Sequence, residues 1–584
     1  MVAVVRLASL IVALALTTAS IDGDGRQARP RAVDPQTASI TGRVVDGGTG
    51  RPLNGAVVTL TLQRDQRFMI ARDQRERVSV MTRADGRFVF RNVRAGAHAV
   101  TAAKPGFVTG AHGRRRPGGT ARPVEIEAAE QAIVTIPIWK LGSITGMVVD
   151  EAGEPVVGQE MRALQRVFAG GRSHLRISGA NLTDDRGVYR IGHLEPGAYF
   201  VVPSINQTFG SPEGRSDRPV TILNGSARYT INEFAPAPPI LPGSDRLMFY
   251  PALFYPGVQT AAQAPPINLG SGEERANVDF QFLPSPAARV SGRALEAPPG
   301  AHVTLELLPA GLDDVIESVV AETLSDGNGV FAFPAIPPGD YVLKARSSAD
   351  NRWAVLGLSV EQQDVTGVDF VMRPSLRMTG RVEFVGTAQG VIRDLHVVAE
   401  SADGTHVNVP PQRVAPTGRF TIDGLPGGHY VLRVGGIANG WMLQSVTHEG
   451  RDIADVPLAL ASDANDVLIA ITNRVTEVGG TVRSTAGAPD PDALVVVFPA
   501  DGDAARDAGR TPRRVRSVRT NERGAFRIVG LPPGDYCIAA IPDEEMGDGS
   551  PAMFAELARG AEVVRLDEGV KREVQLHTRA RSRR

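Results

Sequence analysis

A spacing of ten residues between two glycines constrains this chain more than any other feature, because it occurs five times: Gly86 and Gly96, Gly187 and Gly197, Gly329 and Gly339, Gly418 and Gly428, Gly524 and Gly534. Two residues after the first glycine stands an aromatic (Phe88, Tyr189, Phe331, Phe420, Phe526), and seven after it an aliphatic (Val93, Leu194, Ile336, Leu425, Leu531). Two after the second glycine stands Tyr199, Tyr341, Tyr430 or Tyr536, with His98 in the first copy. A repeat of this kind decides architecture before local propensity does.

The ruler reads as two strands and two turns. The first glycine closes a polar turn ("RADG", "DDRG", "DGNG", "APTG", "NERG"), where positive φ is cheap for glycine. An alternating strand follows, then a Pro/Gly turn, then an apolar strand such as "YVLKA" or "YCIAA". A tyrosine opening that strand predicts a tyrosine corner, its hydroxyl bonded to nearby backbone. Each copy begins with a shared signature, "SITGRVVDGGTGRPLNGAVVTL" from Ser39 and "VGGTVRSTAGAPDPDALVVVF" from Val478 among them, and ends in alternating apolar residues such as "IVTIPI" and "VDFQF". About seven strands per copy predict an all-β chain: a tandem array of five small antiparallel β-sandwich domains. The 63 glycines, 42 prolines and 5% aromatics fit that class.

The expected division is a signal peptide at 1–19, a flexible segment at 20–38, sandwiches at 39–140, 141–288, 289–374, 375–473 and 474–578, and a basic tail at 579–584. The second sandwich carries a long insertion at 204–266. In the fifth, "SPAMFAELARG" predicts a short C-terminal helix at 551–559, capped by Ser550, with Phe554 and Leu557 packed on the domain. Linkers are short, so an extended row with a radius of gyration of ~40 Å or above is expected, against ~25 Å for a compact globule.

The first nineteen residues have one charge at Arg6, a dozen apolar residues and small residues near Ala19, the pattern of a secretory leader. Export to the periplasm or the extracellular space of a bacterium is the expectation, with no membrane span after cleavage. The single Cys537 allows no internal disulfide. Basic and acidic residues number 63 and 64, which argues against nucleic acid as a partner. Arg114–Arg116 and the terminal "RARSRR" read as solvated loop and tail.

The pairing of "GRVVD" and "PLNGAVVTL" with "DGRFVF" and "KPGF" over residues 40 to 108 resembles the carboxypeptidase regulatory-like domain. The resemblance implies a transthyretin-like sandwich related to starch-binding-like and adhesin domains. The whole arrangement is similar to large exported multidomain proteins of soil bacteria such as Acidobacteria. Some related adhesin domains carry intramolecular isopeptide bonds, but copies four and five hold only Lys571 between them, too few lysines for a repeating crosslink.

The family name raises a zinc peptidase, which needs ligands at fixed spacing and a glutamate. None of the ten histidines begins H-E-x-x-H; His448-Glu449 runs on into Gly450 and Arg451. Neither a G-x-S-x-G elbow nor a phosphate loop occurs. No catalytic residue, metal ligand or cofactor is therefore expected, and the acidic turns read as turn chemistry rather than calcium loops. The best candidate contact is "RLMFYPALFYPG" in the insertion, where Phe249, Tyr250, Phe254 and Tyr255 concentrate aromatics. Two readings stand: a platform for sugars, with at least two open coplanar rings, or a plug at a domain junction that buries Phe254 and Tyr255. The second is favoured. The expected function is a non-catalytic binding or structural protein of the cell envelope, with polysaccharide or an envelope protein as partner. Carbohydrate binding, and service as accessory partner of a peptidase or outer-membrane receptor, are the alternatives.

Overall fold

The computed structural model describes residues 38–62, 77–169, 172–204, 207–208, 219–224, 227–232, 248–250, 253–258, 261–310, 320–347, 349–386, 392–402, 409–438, 440–501, 512–546 and 549–579. The expected leader and most of the basic tail lie outside the described residues. Within them the chain is nearly all strand, with a single α-helix.

The first sandwich sets the plan. Its strands are β1 (Ala38–Asp46), β2 (Val57–Leu62), β3 (Arg77–Met81), β4 (Arg87–Val93), β5 (Gly96–Ala103), β6 (Gly110–Ala111), β7 (Val124–Ile126) and β8 (Gln131–Ile138). One sheet runs β4-β1-β8; the other runs β3-β2-β5-β6, with β7 also on β5. Alternation does the sorting: along β4, Phe88, Phe90 and Val93 turn inward and Arg87, Val89 and Arg91 outward. Burying each such side chain contributes about 1.5–3 kcal/mol. Every sandwich has its own core, and the largest fully buried side chains include the ruler residues Tyr189, Leu194, Tyr199 and Tyr536, beside Phe333 and Met161.

One pairing adds to the antiparallel plan. In all five copies the opening strand lies parallel to the strand that closes the domain: Gly42 opposite Val134, Val148 opposite Phe280, Arg293 opposite Asp369, Arg381 opposite Leu468, and Gly480 opposite Val574. That closure explains the glycine in each opening signature. A Cβ on Gly42, Gly146, Gly292, Gly380 or Gly480 would run into the carbonyl oxygen of Val134, Val278, Val368, Val467 or Val574. The ruler aromatic sits across the strand from the same glycine: Phe88, Tyr189, Phe331, Phe420 and Phe526 are the antiparallel partners of these five. A ring covering a bare cross-strand glycine is a recognised device for holding register.

The helix, α1 (Pro551–Ala558), starts where expected; the Ser550 hydroxyl accepts the Met553 N–H at 3.3 Å. It buries Met553 and Leu557, with Phe554 against Phe498, on the outer face of the fifth sandwich. This covering is why Ala493–Pro499 is buried at all seven positions instead of alternating.

Junctions are held by side chains as well as by short linkers. Lys140 N–H donates to Ser271 Oγ between the first two sandwiches. Arg513 forks onto Asp455 at 2.7 and 3.0 Å between the last two, while Glu568 accepts from Gln444 and Thr472. Gln207–Thr208 from the insertion pairs with Ala321–Leu324 of the third sandwich. The expected extended row is corrected: the chain folds back so that the first sandwich touches the fifth. The physical reason is a set of charged groups far apart in sequence, taken up below.

Candidate functional site

The repeated residues are used up in structure. Tyr199, Tyr341, Tyr430 and Tyr536 each donate a hydroxyl hydrogen bond to the carbonyl four residues back, on Glu195, Pro337, Pro426 and Pro532, at 2.6 to 2.9 Å. His98 makes the same contact: its Nε2 lies 2.8 Å from the Arg94 carbonyl. The exception in the ruler is thus a chemical substitute, since an imidazole N–H reaches the same acceptor. Burial pushes the Tyr199 phenol up to about 12 and raises Tyr341 further, so these hydroxyls stay protonated donors.

The acidic turns are likewise occupied. Asp184 Oδ1 accepts the N–H groups of Arg186 and Val188, and Asp326 Oδ1 those of Asn328 and Val330. Asn521 does the same in the fifth copy toward Arg523 and Ala525. These are side-chain turns that mimic backbone turns. Among the described residues no group of three His, Cys, Asp or Glu side chains is placed to hold a metal ion. Cys537 is buried, and burial raises its thiol, which disfavours the thiolate.

The aromatic insertion packs on its own sandwich. Phe254 is buried edge-on to Phe200, with centroids 6.4 Å apart. Half-buried Tyr255 meets Phe280 edge-on at 6.0 Å, and its N–H donates to the Val201 carbonyl. Tyr250 tilts against Phe282 at 5.4 Å and donates its hydroxyl to Glu151. Met248–Phe249 forms a short strand paired with Ser285–Pro286, where the second sandwich leads into the third.

One polar constellation was missed by sequence reasoning. The loop between β6 and β7 reaches the fifth sandwich, and of Arg114–Arg116, expected as solvated loop, Arg115 and Arg116 are corrected to part of this contact, while Arg114 donates to the Thr109 carbonyl of its own sandwich. Arg115 pairs with Asp492, and Arg116 Nε donates to the main-chain carbonyl of Asp543 at 3.1 Å. Arg122, with its side chain 12% exposed, donates to the Pro491 carbonyl at 2.9 Å. On the facing side, Arg519 bridges Asp492 at 3.1 Å and Asp543 at 3.3 Å, and both Arg519 and Asp543 are fully inside. Gly119 approaches so closely that a Cβ there would stand 3.0 Å from the Asp543 carboxylate. His112 lies beneath, buried and pushed down to about 4 by its burial and by the cations Arg122 and Arg519. Buried pairs of this kind decide the energetics: an exposed pair such as Arg115 with Asp492 contributes at most about 1 kcal/mol, whereas removing one partner of a buried pair costs about 3–5 kcal/mol.

Residues 39–136 match the carboxypeptidase regulatory-like domain family. The resemblance read from residues 40 to 108 therefore holds over the first sandwich. No curated protein matches the chain. Among solved structures, the chain is similar to a minor pilin of Streptococcus agalactiae (13% identity, 43% of this chain and 98% of that one, TM-score 0.22). It is similar also to the major pilin subunit of Bacillus cereus (12% identity, 76% and 99%, TM-score 0.14) and to the Bacillus anthracis TIE protein (11% identity, 72% and 69%, TM-score 0.14). Scores this low leave the fold to be argued from the strands themselves. No helix among the described residues is long and apolar enough to cross a membrane.

Proposed function

We propose that this is an exported, non-catalytic structural or binding protein of the bacterial cell envelope. The observation that carries the reading is the use of the repeated residues: tyrosines in four corners with His98 in the first copy, aromatics over glycines in all five, and turn side chains closed on backbone N–H groups. A chain whose recurring polar residues are engaged in this way acts through its surfaces. The leader-like first nineteen residues support export. An envelope protein is the partner class we favour.

Carbohydrate binding is the second reading. It draws on the starch-binding-like relatives of the family that residues 39–136 match. Against it, the rings of Tyr250, Phe254 and Tyr255 are engaged by Phe282, Phe200 and Phe280, and we assign them to anchoring the insertion. The test runs envelope pull-down beside polysaccharide affinity electrophoresis, on the chain lacking residues 1–19 and its Tyr255→Ala variant. Envelope capture without polysaccharide retention is expected. Retention by the parent that Tyr255→Ala loses at unchanged thermal stability would replace the first reading with the second.

A further inference from the structure

The contact between the first and fifth sandwiches contains a group whose charge can change under mild conditions. His112 follows β6 and is held in place by its N–H bond to the Val100 carbonyl and by a hydrogen bond involving the Thr135 backbone. Its Nδ1 is buried without a hydrogen-bond partner. The charges that bear on it are the guanidiniums of Arg122, on its own loop, and Arg519, from the fifth sandwich. The carboxylates in reach of these cations are shared among the arginines: Asp543 through Oδ2 and Asp492 by Arg519, Asp492 by Arg115, and Glu522 by Arg122 at 4.0 Å, while the buried Asp543 Oδ1 is without a partner. Glu125 on β7 accepts from Asn521 across the same contact. A proton on His112 would thus place a third cation beside two others.

We propose that this contact is an acid-operated clasp: near neutral pH the two end sandwiches are joined, and protonation of His112 parts them while each stays folded. Parting lets Arg519 withdraw and admits water to Arg122, which removes one of the two cations beside His112 and screens the other, while part of its burial, the largest cause of the depression, stays. The sign follows from linkage. A histidine held near 4 when closed, with part of that depression relieved on opening, binds fewer protons in the closed form, so closure is strongest near and above neutral pH and weakens as pH falls toward 4. If the whole depression came from closure, with His112 returning to its ordinary value on opening, the closing constant would fall by about 20-fold between pH 7 and pH 5. Burial within the first sandwich alone makes that figure an upper bound.

Hydrogen exchange on the full chain reads this directly, because protection of the facing segments scales with the closing constant however tight closure is. After correction for intrinsic rates, protection at residues 110–123 and 541–546 is expected to fall, by up to about 20-fold, from pH 7 to pH 5. Protection at Val57–Leu62 and Ala525–Val529 should hold. His112→Asn, which keeps a neutral side chain at every pH, should abolish the fall, and Arg122→Glu should lower protection of both facing segments at neutral pH. Unchanged protection in the parent at pH 5, loss that spreads to the core strands, or an undiminished fall in His112→Asn would each overturn the proposal.

Discussion

Replacing Tyr536 by phenylalanine removes one oxygen and tests whether the repeated tyrosine is a structural corner. The hydroxyl donates to the Pro532 carbonyl at 2.7 Å and accepts from Arg514 Nε at 3.3 Å, with the Arg514 guanidinium over the ring. Pro532 is buried, so its carbonyl would be left without that donor in a place water reaches poorly. A buried acceptor deprived of its partner costs about 1–3 kcal/mol. In a domain of roughly 100 residues each kcal/mol lowers the melting temperature by about 4–8 °C. Tyr536→Ala adds a cavity beneath the Pro/Gly turn, for a total of about 3–5 kcal/mol. The assay is differential scanning calorimetry of the full chain, with hydrogen exchange assigning the shifted transition to the fifth sandwich. The expected order of stability is parent, then Tyr536→Phe, then Tyr536→Ala, with the four other sandwiches unmoved. A Tyr536→Phe variant that melts with the parent would refute the corner, and with it the claim that the repeat is structural.

Further outcomes follow from the same geometry. Gly292→Val should strip protection from Val365–Val371, because its Cβ meets the Val368 carbonyl; normal exchange there would contradict the parallel closure. Buried Cys537 should resist thiol reagents in the native chain and label on unfolding, so rapid native labelling would count against the two-sided burial of its strand. Tyr199 ionises near 12 when folded and near 10 when unfolded, so its contribution to stability is full below about pH 10 and is lost as pH rises toward 12. Spectrophotometric titration should show corner tyrosines ionising with or after alkaline unfolding. Ser550→Ala should loosen α1 by about 1 kcal/mol, read as faster exchange at residues 551–558.

What was legible in the sequence was local. The turn glycines, the alternating strand, the tyrosine and its carbonyl lie within about a dozen residues of one another, so pattern and chemistry meet in one window. His98 looked like a break in the ruler because a residue-type pattern does not express that imidazole and phenol can serve one acceptor. The opening glycines stood in plain view, yet their reason was hidden, since the carbonyl that excludes a Cβ belongs to the strand closing the domain. Met553 was missed beside Phe554 and Leu557 because the helix covers a strand buried on both faces. The contact between the ends is the extreme case. Arg115 and Asp492 are 377 residues apart, and an arginine run without its partner reads as solvated.

Small-angle scattering on the chain lacking residues 1–19 tests most directly whether five sandwiches close on themselves. Five bodies of roughly 100 residues, each with a radius of gyration near 13 Å, give about 30 Å when the first touches the last. The account requires a value near that figure at neutral pH. A value of ~40 Å or above, with a long tail in the distance distribution, would mean the sandwiches stand in an open row and the contact between Arg122 and the fifth sandwich does not form.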